Sequence, residues 1–229
     1  MLGLLAFLMG ASVGSFLNVV ADRLPEGQSL IQPRSFCGSC RRTLGSLELV
    51  PILSYLWLRG RCRYCRASLP VRLMAVEGAT GLLFTAIYLG FGLGAEFVVI
   101  AAAASLLLVV ALIDLERGLI LNRLVYPSAV ALLILAPFWP QLGLSQTFPG
   151  SSGMVASFLS SLTAGIGAFL VFLAIARRYP QGMGGGDIKL AGVIGLLGGF
   201  PGVLSALWLS VVSGGLVGLY LVLVRKKAR

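Results

Sequence analysis

Histidine is absent from this chain of 229 residues. Its absence removes the commonest general base, and with it any Ser-His or Cys-His nucleophilic device. Charge is scarce as well: Asp, Glu, Lys and Arg make up 11% of the residues, against 58% apolar, and the mean hydropathy is +0.96. That balance excludes an ordinary soluble domain, in which about a quarter of residues are charged. Acids are the scarcer sign, 8 against 18 Lys and Arg, for a formal charge of +10. With no imidazole available, those few carboxylates become the main candidates for acid–base chemistry. The opening run MLGLLAFLMG also lacks a preceding basic segment, whereas Arg23 follows it. A cleaved signal peptide carries its positive charge in front, so the first run is expected to be a retained anchor.

What the chain has in excess is long apolar runs, at Leu2 to Val20, Leu73 to Phe91, Phe97 to Ile113, Leu124 to Trp139, Met154 to Ala176, Ile188 to Phe200 and Val203 to Val224. A helix needs about 20 residues to cross a bilayer, so these runs predict an all-α polytopic membrane protein with about seven transmembrane helices. The fourth and sixth runs are short; 13 residues reach only about 20 Å of a core roughly 30 Å thick. The chain divides into a first helix over 1–21, a cytoplasmic cysteine-bearing loop over 22–72 and a membrane core over 73–229. With seven spans, all 18 basic residues fall on one face, which places the N-terminus outside and the C-terminus inside. The excess positive charge then reflects topology and attraction to anionic lipid, and nucleic acid is not an expected partner. The exported connection PFWPQLGLSQTFPGSSG carries no charge. The small-residue spacings GASVG, GATG and GIG suit close helix packing in lipid.

All four cysteines lie in the loop, as CGSC at Cys37 to Cys40 and CRYC at Cys62 to Cys65, separated by 21 residues. Two such knuckles in a reducing compartment meet the tetrahedral thiolate demand of Zn²⁺. The flanking Arg41, Arg61, Arg63 and Arg66 offset the charge of a tetrathiolate site. Four sulfur ligands leave no open position for water, so the zinc is structural. A redox pair or simply buried thiols remain the alternatives. The stretch between the pairs, LGSLELVPILSYLWL, is broken by Glu48 and Pro51 and is expected to lie at the membrane surface.

Two carboxylates adjoin apolar runs: Asp114 closes the third, in VVALIDLERGLILN, and Asp187 opens the sixth, behind Gly184, Gly185 and Gly186. The topology puts both at the cytoplasmic edge. One reading is plain, with each an interfacial end charge and Asp187 capping a helix N-terminus. The other is an aspartic dyad, in which one carboxylate takes a proton from the water that attacks a peptide carbonyl while the other keeps its proton. The helix dipole assigns Asp187 the role of base and Asp114 that of acid. The three glycines then let backbone take conformations closed to other residues and let a substrate strand approach; a flexible hinge is the alternative.

These residues resemble the type IV prepilin peptidase family, membrane aspartic proteases that process pilin and type II secretion pseudopilin precursors. The likeness is carried, in order along nearly the whole chain, by GSFLNVVADRLPEG, SFCGSC, VPILSYLWLRGRCRYC, IDLERGLILN and GGGDIKL. It implies that Asp114 and Asp187 are the catalytic pair and that a short basic leader is cleaved after a glycine at the cytoplasmic end of the substrate's apolar helix. It also implies methylation of the new N-terminus from S-adenosylmethionine, and a role in it for Glu77, in VEGATG. The likeness does not locate the methyl donor's site. Three positions depart from the family's usual pattern: Gly38 for a proline, Leu121 for a proline, and Glu48 with Leu49 where an asparagine is common. The substrate's basic leader is left to local acids such as Glu116 or to lipid-imposed register. Three other readings stand beside this one. They are a peptidase without methyl transfer, a small proton- or cation-coupled transporter using the two aspartates, and a membrane scaffold that binds a partner through its zinc loop.

Overall fold

The computed structural model describes residues 1–144, 152–179 and 182–227, with the backbone alone at 217–219, 221–222 and 224–227. Part of the uncharged connection, residues 145–151, and the final basic residue, Arg229, lie outside them. Among the described residues the regular elements are helices, joined by turns and irregular segments, with two single β-bridges, Phe36 to Thr43 and Arg61 to Ser68. The helices are α1 (Leu2–Arg23), α2 (Leu53–Trp57), α3 (Val71–Phe91), α4 (Ala95–Arg117), α5 (Asn122–Leu135), α6 (Met154–Arg178) and α7 (Gly185–Lys227), with 3₁₀ turns at Ser46–Leu49 and Ala136–Leu142.

Among the described residues six helical stretches are long and apolar enough to cross a membrane: α1, α3, α4, α5 with its 3₁₀ extension to Leu142, α6, and α7 as far as Leu216. Leu82, Val98, Val155 and Leu209 are more than half exposed, an apolar surface that lipid accommodates and water does not. The sixth and seventh runs read from the sequence are the two arms of α7. The helix breaks between them, where Gly199 (φ 53°, ψ −167°) and Phe200 (φ −94°, ψ 139°) leave helical geometry ahead of Pro201. A break frees backbone groups that lipid cannot satisfy, and here the Phe200 N–H donates to Ser160 Oγ of α6 at 2.9 Å.

The chain forms two compact units, Met1–Leu119 and Ile120–Arg229. In the first, α1 meets α3 at glycines. A Cβ at Gly10 would stand 2.5 Å from the Thr80 carbonyl oxygen, and one at Gly14 would stand 2.8 Å from Glu77 Cα. These are the two glycines of GASVG, and only their lack of a side chain lets the helices approach this closely. Asn18 adds a polar tie, its Nδ2 donating to Leu73 O at 3.1 Å. Toward the other end of the helices, Ala6, Phe84, Ile87, Phe97 and Ala101 form the core, with Phe84 and Phe97 edge to face at 5.7 Å.

In the second unit α6 and α7 make a similar crossing. A Cβ on Gly195 would stand 2.7 Å from Gly165 Cα, and Ala164, Ala168, Ala191 and Val203 pack around the contact. Buried hydroxyls line the same face of α6. Besides Ser160, Ser157 Oγ donates to the Ala136 carbonyl at 2.8 Å and so satisfies the turn that ends α5.

Candidate functional site

The four cysteines come together. Their sulfurs lie within 4.8 Å of one another, and Cys37 Sγ is 3.8 Å from Cys65 Sγ. A tetrahedron with Zn–S bonds of about 2.3 Å has edges of about 3.8 Å, so the donor set fits such an ion with little movement. The separation is far beyond a disulfide bond of about 2.05 Å, and all four thiols are free.

The two knuckles are built alike because their local sequences run in parallel. Cys37 N–H donates to Arg42 O and Arg41 N–H to Cys37 O; Cys62 N–H donates to Ala67 O and Arg66 N–H to Cys62 O. Arg41 (φ 59°) and Arg66 (φ 58°) take the same left-handed position in each turn. One cysteine of each pair, Cys37 and Cys62, is buried, and its partner is exposed. Arg42 stacks on the Tyr64 ring at 4.1 Å and ties one knuckle to the other. Hydrogen bonds from the backbone N–H groups of Cys40 and then Ser39 draw the Cys37 thiol down to about 6. At Cys65 the Ala67 N–H pulls in the same direction, but desolvation and the three other sulfurs outweigh it and push the thiol up to about 11. Without metal the cluster therefore shares protons unevenly, and a divalent cation would displace them.

Glu77 is buried in α3, and its Oε2 accepts the Ile52 N–H at 2.7 Å. Ile52 is strained, with φ 63° and ψ −52°, and Leu53 N–H folds back onto Pro51 O at 2.6 Å. This is the rare, high-energy form of the γ-turn, unusual for any residue and more so for a β-branched one. Glu77 thus clamps the segment between the knuckles to the membrane helix, a role its position in the sequence did not suggest.

Asp114 sits in the last turn of α4. Gly118, at φ 64°, closes that helix by donating its N–H to the Asp114 carbonyl at 2.7 Å. The Asp114 side chain is exposed, whereas its neighbours are anchored. Arg72 of α3 binds Glu116 at 2.6 Å and Asp22 of α1 at 2.8 Å, and Arg117 binds Glu26 at 3.0 Å. Each pair is partly exposed and worth up to about 1 kcal/mol, so the network acts by fixing the helix end more than by stabilising the fold. Glu116, expected to meet a basic leader, is already paired with Arg72.

Asp187 is half-buried in the first turn of α7, in the second unit. Its Oδ2 accepts the Gly184 N–H at 3.0 Å, while its own N–H donates to Gly184 O at 3.2 Å. The plain capping reading is thus realised on one carboxylate oxygen. None of Gly184, Gly185 and Gly186 has a positive φ. What Gly186 supplies is room, since a Cβ there would lie 2.6 Å from Ile120 Cβ. Lys189 Nζ donates to Asn122 Oδ1 at 2.9 Å and stands over the Tyr126 ring at 5.4 Å. The start of α7 is therefore fastened to the segment at Ile120 and Asn122. Reading the motifs as aspartate motifs passed over this pair; an isolated cation inside an apolar run was the cue.

Comparison with known proteins covers nearly the whole chain. Residues 8–91 match the bacterial peptidase A24 N-terminal domain, and residues 101–219 match the type IV leader peptidase family. A Bacillus subtilis protein named prepilin leader peptidase/N-methyltransferase is 36% identical over 227 residues, covering 97% of this chain and 84% of that protein. Proteins of the same name from Myxococcus xanthus and Pseudomonas putida are 35% and 33% identical, covering 97% and 96% of this chain and 64% and 81% of theirs. No solved structure matches the chain. The match over residues 101–219 takes in more than half of the sequence, including both Asp114 and Asp187, and on that ground the chain belongs to the type IV leader peptidase family.

Proposed function

We propose that the protein is an aspartic endopeptidase of the bacterial inner membrane that removes the basic leader from type IV prepilins or type II secretion pseudopilins, cutting after glycine at the cytoplasmic membrane edge. Asp114 and Asp187 are the catalytic carboxylates. The observation that carries this reading is that one family match spans both of them, each at a helix end. The topology is seven spans, the two arms of α7 counted separately, with the N-terminus outside and the C-terminus cytoplasmic.

In the reaction, Asp187 takes a proton from water as the water oxygen attacks the scissile carbonyl, and Asp114 gives its proton to the carbonyl oxygen; as the gem-diol collapses, Asp187 passes the proton it took to the departing amine and Asp114 recovers its own from a gem-diol hydroxyl. A prepilin anchored by its apolar helix presents the scissile bond at fixed depth, so the membrane performs part of the positioning. The second activity is N-methylation. The methyl of S-adenosylmethionine moves to the freed N-terminal nitrogen, which loses a proton, and S-adenosylhomocysteine leaves. Cys37, Cys40, Cys62 and Cys65 hold a structural Zn²⁺ that supplies cross-linking of the two knuckles.

The test is processing of a purified prepilin by the wild type and by Asp114→Asn and Asp187→Asn, with labelled S-adenosylmethionine present. Each substitution is expected to slow leader removal by roughly 10²- to 10⁴-fold. Cleavage by either variant at the wild-type rate overturns the dyad, and cleaved but unlabelled product from the wild type removes the second activity.

A further inference from the structure

The segment between the two cysteine knuckles turns apolar side chains outward. Leu47 is 77% exposed, Leu53 61%, Leu56 58% and Trp57 89%. On the short helix α2, Leu53, Leu56 and Trp57 stand at i, i+3 and i+4 and so share one face. No charged residue falls between Glu48 and Arg59, and no acid between Glu48 and Glu77. Arg59, Arg61, Arg63 and Arg66, all exposed, follow the run. An apolar face rimmed by charge marks a surface that contacts lipid or protein.

The depth of the segment favours lipid. A ring of ion pairs, Arg72 with Asp22 and Glu116 and Arg117 with Glu26, joins the ends of α1, α3 and α4. Charge is costly in hydrocarbon, so this ring marks the level at which those helices leave it. Glu77 lies five residues further along α3 than Arg72, and at about 1.5 Å per residue that is about 7.5 Å deeper. Both side chains lean toward the N-terminus of α3, so the difference in depth carries through to their polar ends. Because Glu77 Oε2 accepts the Ile52 N–H, the outward-facing segment is held below the ring, level with the acyl chains.

Its backbone meets the condition that lipid sets. Irregular backbone is tolerated at membrane depth only where it lies against protein and its polar groups are paired. Pro51 has no N–H, and the N–H groups of Leu53, Ser54, Leu56 and Leu58 donate to Pro51 O, Val50 O, Ile52 O and Ser54 O. The Ile52 donor is taken up by the buried carboxylate of α3.

We infer that residues 49–58 form a wedge that enters the acyl-chain region of the leaflet on the side of the cysteine loop. Leu53, Leu56 and Trp57 lie against phospholipid chains, and the arginines that follow meet headgroup phosphates. The wedge goes deeper than the surface position expected from the sequence, and it stands whether or not the chain is a peptidase. The knuckles flank it on either side, so lipid and the Glu77 bond together hold them against the helices. A second copy of the chain fits this face less well. With four arginines and no acid after Glu48, two copies meeting on it would bring like charges together.

The experiment uses the full-length protein in vesicles of phosphatidylcholine and phosphatidylglycerol whose acyl chains carry bromine near the headgroup end. Trp57 is exposed, so Trp57→Phe removes its emission without opening the core, and the difference between wild type and variant reports Trp57 apart from Trp139 and Trp208. An interfacial element sinks about 5–10 Å below the headgroups, where those bromines lie. The Trp57 emission should therefore shift to shorter wavelength than that of free tryptophan in water. It should lose most of its intensity to brominated lipid and little to acrylamide in the water. A lipid-soluble carbene reagent applied to the wild type should label a peptide covering 49–58 as it labels α6, and should leave residues 34–42 unlabelled. This second measurement needs no variant. Quenching of Trp57 by acrylamide but not by brominated lipid, or a wedge peptide that takes no label, overturns the inference. Shielding of Trp57 from both quenchers assigns the face to a second copy and overturns it as well.

Discussion

Replacing Glu77 with alanine should loosen the segment between the cysteine knuckles. Its carboxylate accepts one hydrogen bond, from Ile52 N–H at 2.7 Å, and a bond to a charged acceptor contributes about 1.5–3 kcal/mol. Against it stands the backbone of Ile52, whose φ of 63° and ψ of −52° cost about 1–3 kcal/mol. The two magnitudes nearly cancel. The clamp therefore offsets the strain, and without it the γ-turn is left uncompensated by about 1–3 kcal/mol and a relaxed conformer is favoured. Since about 1.4 kcal/mol is a factor of ten, exchange of the Ile52 amide should accelerate roughly 10- to 100-fold in Glu77→Ala. Glu77→Gln keeps a neutral acceptor worth about 0.5–1.5 kcal/mol and should fall between the two. Hydrogen exchange read by mass spectrometry on a peptide covering Ile52, with a peptide from α6 as internal control, measures this directly. Equal acceleration of both peptides would mean global destabilisation, and no acceleration at Ile52 would refute the clamp.

Three further outcomes follow from the same structure. Ser160→Ala removes the hydrogen bond from Phe200 N–H at the break in α7 and should lower stability by about 0.5–1.5 kcal/mol in thermal unfolding, whereas Ser210→Ala, on an exposed face, should change little. Stripping metal with a chelator should make the loop over 22–72 protease-sensitive and leave the long helices intact. The Cys37 thiol lies at about 6 against an ordinary 9.0, so the fold favours its ionised form; that contribution is full above the ordinary value and is lost as pH falls through about 6. Because zinc binds thiolates in competition with protons, bound zinc, measured by elemental analysis after dialysis, should fall as the solution is acidified, and retention of zinc by a variant with all four cysteines changed to serine would refute the site.

Much of the fold was legible because lipid imposes strict rules. Apolar length located the long helices, though it divided α7 into two runs, and the glycines of GASVG marked the α1 and α3 crossing because nothing larger fits there. The cysteine cluster was legible for a similar reason, since two C-x-x-C knuckles have few other uses. The break at Gly199 was visible only as a gap between two runs. Whether such a gap is a turn or a kink depends on whether a neighbour can satisfy the freed N–H, and Ser160 is 40 positions away. Glu77 was singled out by likeness to a family, but its bond to Ile52 was not foreseeable, because a strained turn leaves no compositional trace. Lys189 stood out as an isolated cation inside an apolar run, but its partner Asn122 did not, because a pairing across 67 positions has no local signature.

The two aspartates are supported in the same way despite lying in separate units. Around Asp114 the adjacent Glu116 and Arg117 carry the anchoring ion pairs to α1 and α3. Around Asp187 the adjacent Gly186 and Lys189 carry the contacts to Ile120 and Asn122. In both cases the neighbours fix the helix end, and the carboxylate is positioned without spending both its oxygens on structure. Glu77, which like Asp187 gives one oxygen to a backbone N–H, is buried, whereas Asp114 is exposed and Asp187 half-buried. A proposed proton-transfer group needs the opposite arrangement, a rigid backbone beneath a side chain whose oxygens stay available to water and substrate. That difference in access to water is the physical argument behind the proposal that Asp114 and Asp187 perform the chemistry while Glu77 positions the loop.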